Sequence, residues 1–299
     1  MRFSFPTSLK DRAVRIIVWL TLIANIGITV TGALVRLTAS GLGCPEWPLC
    51  TEDSLINTPE MGIHGAIEFG NRVLTLVLLL VTVLVLVVLW RMRKERRDLW
   101  RFALVLLLGI PLQAVVGGIS VWTDLNPYVV GLHFVLSIGM TIVATILVIR
   151  VVDVDRISRL RDVPVLSWLV AAGTVLTLIV GILTTGSGPH AGDADAPRNG
   201  LDSELLQHLH SWPAYVTLAI VAFASVRANG ISRRWFVWLI SAFAVQATLG
   251  IIQSRTGLPV PLIAMHVALA MITTAVATVA IYRSTTSGSI ATAMKSAVK

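Results

Sequence analysis

Eight nearly continuous apolar runs, each long enough to cross a bilayer as a helix, constrain this chain more than any other feature. They lie near residues 14–35, 64–90, 100–122, 129–149, 164–185, 207–226, 235–254 and 261–282. About 20 apolar residues in a helix span roughly 30 Å of hydrocarbon and satisfy their own backbone polar groups. A β-barrel needs alternating apolar and polar residues, which these runs lack. Only 13% of the 299 residues are charged, and the mean hydropathy is +0.81; a soluble domain carries about 25% charged residues. The reading is an all-α, polytopic membrane protein with eight transmembrane helices. The first run continues from Val14 past Val30 and ends in no small-residue cleavage site, so it is expected to be a retained span rather than a signal peptide.

The net charge of +8 does not point to nucleic acid, because the basic residues sit in short clusters between apolar runs. With both termini inside, the inner segments hold Arg2, Lys10, Arg12 and Arg15; Arg91, Arg93, Lys94, Arg96, Arg97 and Arg101; Arg150, Arg156, Arg159 and Arg161; Arg227, Arg233 and Arg234; and Arg283, Lys295 and Lys299. Of the 24 basic residues, only Arg36, Arg72, Arg198 and Arg255 fall on the outer side. This bias predicts a multi-pass protein of the cell membrane with cytoplasmic termini.

The outer loops alternate in length: 36–63 and 186–206 are long, 123–128 and 255–260 short. That pattern suggests a repeat. Laying LQAVVGGISVWTDLNPYVVGLHFVL from Leu112 over VQATLGIIQSRTGLPVPLIAMHVAL from Val245 matches Gln113 with Gln246, Ala114 with Ala247, Gly117 with Gly250, Ile119 with Ile252, Thr123 with Thr256, Leu125 with Leu258 and His133 with His266, without a gap. The chain therefore reads as two pseudo-symmetric four-helix bundles in parallel topology, about 1–155 and 156–299.

Five of the six histidines, His64, His133, His208, His210 and His266, sit in the first turns of the second, fourth, sixth and eighth runs. Those runs all descend from the outer face, so their histidines share a depth. Imidazoles at matched depth on facing helices are what a haem iron needs, and a four-helix bundle has room for a porphyrin. His208 and His210 point roughly 200° apart on a helix, so one of them faces the core. His210 is favoured, because QHLH then aligns with EFGN and sets Glu68 over Gln207. By that alignment the first-half partner of His210 is Asn71. His64 lies two turns before Asn71, about 10 Å higher on one face. Either His64 ligates from there, or the first half offers His133 alone.

Glu68 lies between them, with Arg72 at i+4. Two readings stay open: a proton-handling carboxylate beside a haem, with Arg72 shared with a propionate, or a helix-end ion pair. Cys44 and Cys50 bracket two prolines in LTASGLGCPEWPLC and suggest a disulfide on an oxidising side, as a staple or a redox pair. Two ligands are too few for zinc. The third outer loop, TTGSGPHAGDADAPRNG, carries no cysteine, and its His190 is expected to be solvated or capping.

The segments TGALVRLTASGLGCPEWPLC, IEFGNR, GLHFVLS, TTGSGPHAGD, QHLHSW and AMHVALA together resemble the haem A synthase family over nearly the whole chain. The resemblance implies oxidation of the C8 methyl of haem O to a formyl group, by successive hydroxylations. It implies a haem b cofactor in the C-terminal half on His210 and His266. It also implies a haem O site in the N-terminal half with His133 and Glu68, and a paired Cys44 and Cys50; position on the second run adds His64 and Arg72 to that site. Haem O, the enzyme that makes it, an electron acceptor and lipid are the implied partners. The chain departs from the family pattern at Asn71, where a histidine is usual, and lacks the second loop-cysteine pair of some members. A membrane cytochrome b that only transfers electrons would use the same histidines without Glu68. A transporter would carry charges and broken helices at mid-membrane, which the runs lack.

Overall fold

The computed structural model describes residues 8–153 and 163–285. Among these residues the fold is helical throughout: α1 (Arg12–Leu37), α2 (Gly62–Trp90), α3 (Arg97–Trp122), α4 (Pro127–Val152), α5 (Pro164–Ser187), α6 (Ser203–Arg227), α7 (Gly230–Arg255) and α8 (Val260–Thr285), with one 3₁₀ turn at Pro59–Met61. All eight helices are long and apolar enough to cross a membrane. Arg2, Arg156, Arg159, Arg161, Lys295 and Lys299 of the predicted inner clusters lie outside the described residues.

Each apolar run is contained in one helix, and most helices outlast their run by a few residues. Hydropathy marks where hydrocarbon stops, whereas a helix continues until its backbone is capped. α6 thus begins at Ser203, where Asp202 Oδ1 accepts the Leu205 N–H at 2.9 Å. α4 begins at Pro127, with Asn126 Oδ1 accepting from the Tyr128 N–H at 3.0 Å.

α1 to α4 form one square bundle and α5 to α8 another: neighbours around each square pack, and diagonal helices do not. No Cα of α2 lies within 8 Å of α4, nor any of α6 within 8 Å of α8. The halves meet through α4 and α8, with α1 against α8 and α5 against α4. That is the contact pattern of a two-fold related pair. The turns repeat as well. Leu125 and Leu258 both take left-handed φ, 60° and 57°. Their N–H groups close six-residue turns onto Ser120 O (2.7 Å) and Gln253 O (2.9 Å), and the hydroxyls of Thr123 and Thr256 bond Ile119 O and Ile252 O. This is one helix-ending motif made twice from matching residues.

The apolar cores sit toward the end away from the two long loops. Val14, Val18, Val85, Leu89, Leu99, Leu106 and Leu147 fill the first bundle; Val170, Val221, Phe236, Leu239 and Ala277 fill the second. Leu76, Leu80 and Leu84 make an exposed stripe on α2, the face a lipid-bathed helix presents. At this end Arg283 pairs with Asp153 across the halves. At the loop end Gly41 N–H bonds Gly192 O at 2.8 Å, joining the two long loops, and Arg36 reaches Thr185 O at 2.8 Å. With the apolar cores at one end, the polar side chains gather at the loop end of each bundle.

Candidate functional site

In the second bundle His210 of α6 and His266 of α8 face each other across the diagonal, ring centroids 6.3 Å apart and planes at 69°. His210 Nδ1 lies 3.0 Å from Thr177 O of α5. A carbonyl only accepts, so Nδ1 carries the proton and Nε2 keeps its lone pair. Orienting a ring from behind in this way is what a metal-ligating imidazole requires. His266 Nδ1 is buried without a protein partner. Two imidazoles on one metal, each nitrogen about 2 Å from it and each ring centre roughly 1 Å further back, stand about 6 Å apart.

Small residues make room for these rings. A Cβ on Gly181 of α5 would sit 2.7 Å from His210 Cε1, and one on Gly250 of α7 would sit 3.1 Å from His266 Cε1. Gln246 Nε2 donates to His266 O at 3.0 Å, tying α7 to α8 beside the ring. His208 is exposed. His190 donates from Nε2 to Leu258 O at 3.0 Å and caps the α7–α8 turn.

The first bundle keeps the frame and changes the groups. His133 of α4 is half-buried, its Nδ1 buried and unpartnered, over Gly117 of α3, where a Cβ would stand 3.4 Å from Cε1. Gln113 reaches the His133 carbonyl through Ser137, at 2.7 and 3.1 Å. The repeat puts an alanine, Ala270, where Ser137 stands, and Gln246 bonds the carbonyl directly. On α2 the side chain beside Gly32 is Asn71, its Nδ2 3.8 Å from where a Gly32 Cβ would be. His64 is exposed, its Nδ1 2.9 Å from the hydroxyl of the fully buried Ser40.

Glu68, at 7% exposure the one buried carboxylate among the described residues, is gripped from two sides. Oε2 accepts the Cys44 N–H at 2.7 Å and Oε1 accepts Arg72 Nη2 at 2.6 Å. Arg72 also donates to Glu46 O, Leu49 O and Cys44 O, at 2.7 to 3.2 Å. The pair therefore holds the first long loop by its backbone. That loop is closed by the Cys44–Cys50 disulfide, with both sulfurs' residues fully buried. Trp47 then lies over Gly118 of α3 and meets the Trp122 ring edge-on at 5.2 Å. Gly43 crosses the start of α2, where a Cβ would sit 2.3 Å from His64 O.

The four histidine-bearing helices and the Glu68–Arg72 spacing are legible in the sequence; the roles of Gly181, Thr177 and the loop carbonyls are not. The Gly117–Gly250 match in the repeat was the one available signal for the ring-clearing glycines.

Residues 15–278 match the family described as cytochrome oxidase assembly protein (COX15-CtaA). A heme A synthase of Staphylococcus epidermidis is 27% identical over 229 residues, covering 70% of this chain and 74% of that protein. Heme A synthases of Listeria welshimeri and Listeria monocytogenes are 32% identical over 142 residues, 46% of either chain.

Proposed function

Because this chain belongs to the COX15-CtaA family of cytochrome oxidase assembly proteins, we propose that it is the oxidoreductase that converts haem O to haem A. The relatives from Staphylococcus epidermidis and Listeria welshimeri are heme A synthases. The observation that carries the reading is the pair of imidazoles on α6 and α8, 6.3 Å apart on helices that do not pack. One of them is already oriented by a backbone carbonyl.

The C-terminal half, 156–299, holds haem b between His210 and His266. Bound there, that haem supplies one-electron transfer. The N-terminal half, 1–155, receives haem O, with His133 as the ligand of the substrate iron. His64 and Arg72 stand on the loop-covered rim of that half. The ring-clearing glycines, the buried unpartnered Nδ1 atoms of His133 and His266 and the matching Gln113 and Gln246 support one haem in each half.

Each round breaks one C–H bond of the C8 methyl, forms one C–O bond to a water oxygen and releases two protons and two electrons; two rounds give an alcohol and then a gem-diol, which loses water to give the aldehyde. Glu68 accepts and returns protons beside that carbon. Cys44 N–H and Arg72 hold the carboxylate in one orientation, and the disulfide-closed loop covers it. The enzyme that makes haem O supplies the substrate and a separate acceptor removes the electrons. The protein sits in the cell membrane with both termini in the cytoplasm, as the basic clusters support.

Purified protein from cells supplied with haem O is expected to show a low-spin b-type spectrum and to yield haem A on pigment extraction. His210→Ala or His266→Ala is expected to remove the low-spin signal. A low-spin spectrum with no haem A formed would instead mark an electron-transfer cytochrome.

A further inference from the structure

Resting on the reading just given, we infer that the substrate iron in the N-terminal half is held by His133 alone, and that its opposite axial position faces Asn71 and stays open to small ligands.

The repeat relates Asn71 to His210. Gly181 of α5 clears room for His210, and Gly32 of α1 stands in the same relation to Asn71. Superposing the two glycines sets Ile28 on Thr177 and Thr31 on Val180. In the second half the Thr177 carbonyl takes the His210 Nδ1 proton directly, at 3.0 Å. In the first half the equivalent carbonyl, Ile28 O, is 3.1 Å from the Thr31 hydroxyl, which is 2.8 Å from Asn71 Oδ1. The Thr31 hydroxyl, with one proton for these two acceptors, thus stands between the α1 carbonyl and the amide, where the longer histidine reaches the carbonyl itself in the other half. The glycine is kept and the imidazole is not. An amide bound in this way has no strong donor atom for iron, and its nitrogen presents N–H groups. In haem pockets such donors, with steric access, decide how an open iron position binds small molecules.

His64 is the other residue on α2 that could fill the position. It starts the helix two turns earlier, it is exposed, and its Nδ1 is engaged by buried Ser40. The loop crosses directly over its backbone at Gly43, which fixes that turn beneath the loop. A switch of His64 into the bundle would need both contacts to break.

The test uses the full-length protein purified with haem O supplied, carbon monoxide on the reduced form and electron paramagnetic resonance on the oxidised form. Wild type is expected to bind carbon monoxide at one haem, while the His210–His266 haem stays low-spin and unreactive. Asn71→His, alone and with Thr31→Val to restore the second-half pair, is expected to abolish carbon monoxide binding and add a second low-spin signal. His64→Ala is expected to leave carbon monoxide binding unchanged, and His133→Ala to remove the reactive haem. Wild type with two low-spin haems and no carbon monoxide binding would overturn the inference, as would His64→Ala creating that binding. Loss of the low-spin haem from wild type itself would instead strike the two-histidine assignment on which the inference rests.

Discussion

The two bundles share a frame and differ in what they hold at the loop end. The second carries His210 and His266 across its diagonal, under a loop without cysteines. The first carries His133 on α4 and Asn71 on α2, with a buried carboxylate on α2 that is bonded to a disulfide-closed loop. What the halves keep in common is space: Gly117 and Gly250 under the α4 and α8 histidines, Gly32 and Gly181 beside α2 and α6. What they do not share is chemistry. A site that only passes electrons is served by two fixed ligands and needs no acid or base. A site that transforms its occupant needs an approachable centre and a group that moves protons. The glycines recur in both halves, and the side chains beside them differ.

The sharpest way to break the comparison is to remove ligands. His210→Ala and His266→Ala should abolish the low-spin signal and haem A formation together, read by absorption and pigment extraction. If either variant keeps the full signal, the second half is not the electron-transfer site. Next, Glu68→Gln keeps the shape of the side chain and removes its charge. It should stall haem A formation by a factor of about 10² or more, the usual worth of a positioned acid–base group, with both haems still bound. Undiminished haem A output would confine Glu68 to holding the loop.

Smaller effects sharpen the picture. A methyl at Gly181 collides with His210 at 2.7 Å, one at Gly250 approaches His266 at 3.1 Å, and one at Gly117 approaches His133 at 3.4 Å. Alanine at these positions should weaken haem retention in that order, with the first costing about 1–3 kcal/mol as overpacking. A titration of bound haem against detergent or heat reads this, and equal losses at all three would show that the clearances do not matter. Opening the loop with Cys44→Ser and Cys50→Ser together should destabilise it by about 2 kcal/mol on the chain-entropy scale and slow haem A formation without changing the low-spin haem. A change in that haem would mean the loop acts on both halves. Ser137→Ala should cost the least, about 0.6 kcal/mol, as for a typical interhelical hydrogen bond in a membrane. The repeat shows why: Ala270 occupies that place in the second half and Gln246 still reaches His266 O.

The helices were legible because hydropathy is a one-dimensional property, and the repeat because Gln, Gly, Thr and His at fixed spacing rarely coincide within apolar segments. The matched C-terminal turns at Leu125 and Leu258 follow from the same alignment. The grip on the first long loop was not legible, since Arg72 binds the carbonyls of Cys44, Glu46 and Leu49, groups that any residue would supply. The same holds for Thr177, whose carbonyl orients His210 while its hydroxyl bonds back to Gly173 O. Asn71 stood out in the alignment as a missing histidine. Only the contact with Thr31 and the clearance at Gly32 explain how the amide fills that place.

Which half carries the paired haem-ligating imidazoles is tested most directly by electron paramagnetic resonance of three single variants. With haem O supplied, His133→Ala should keep the low-spin bis-imidazole signal, whereas His210→Ala and His266→Ala should each lose it. A low-spin signal that vanishes in His133→Ala and survives in the other two would reverse the roles of the halves and contradict the account.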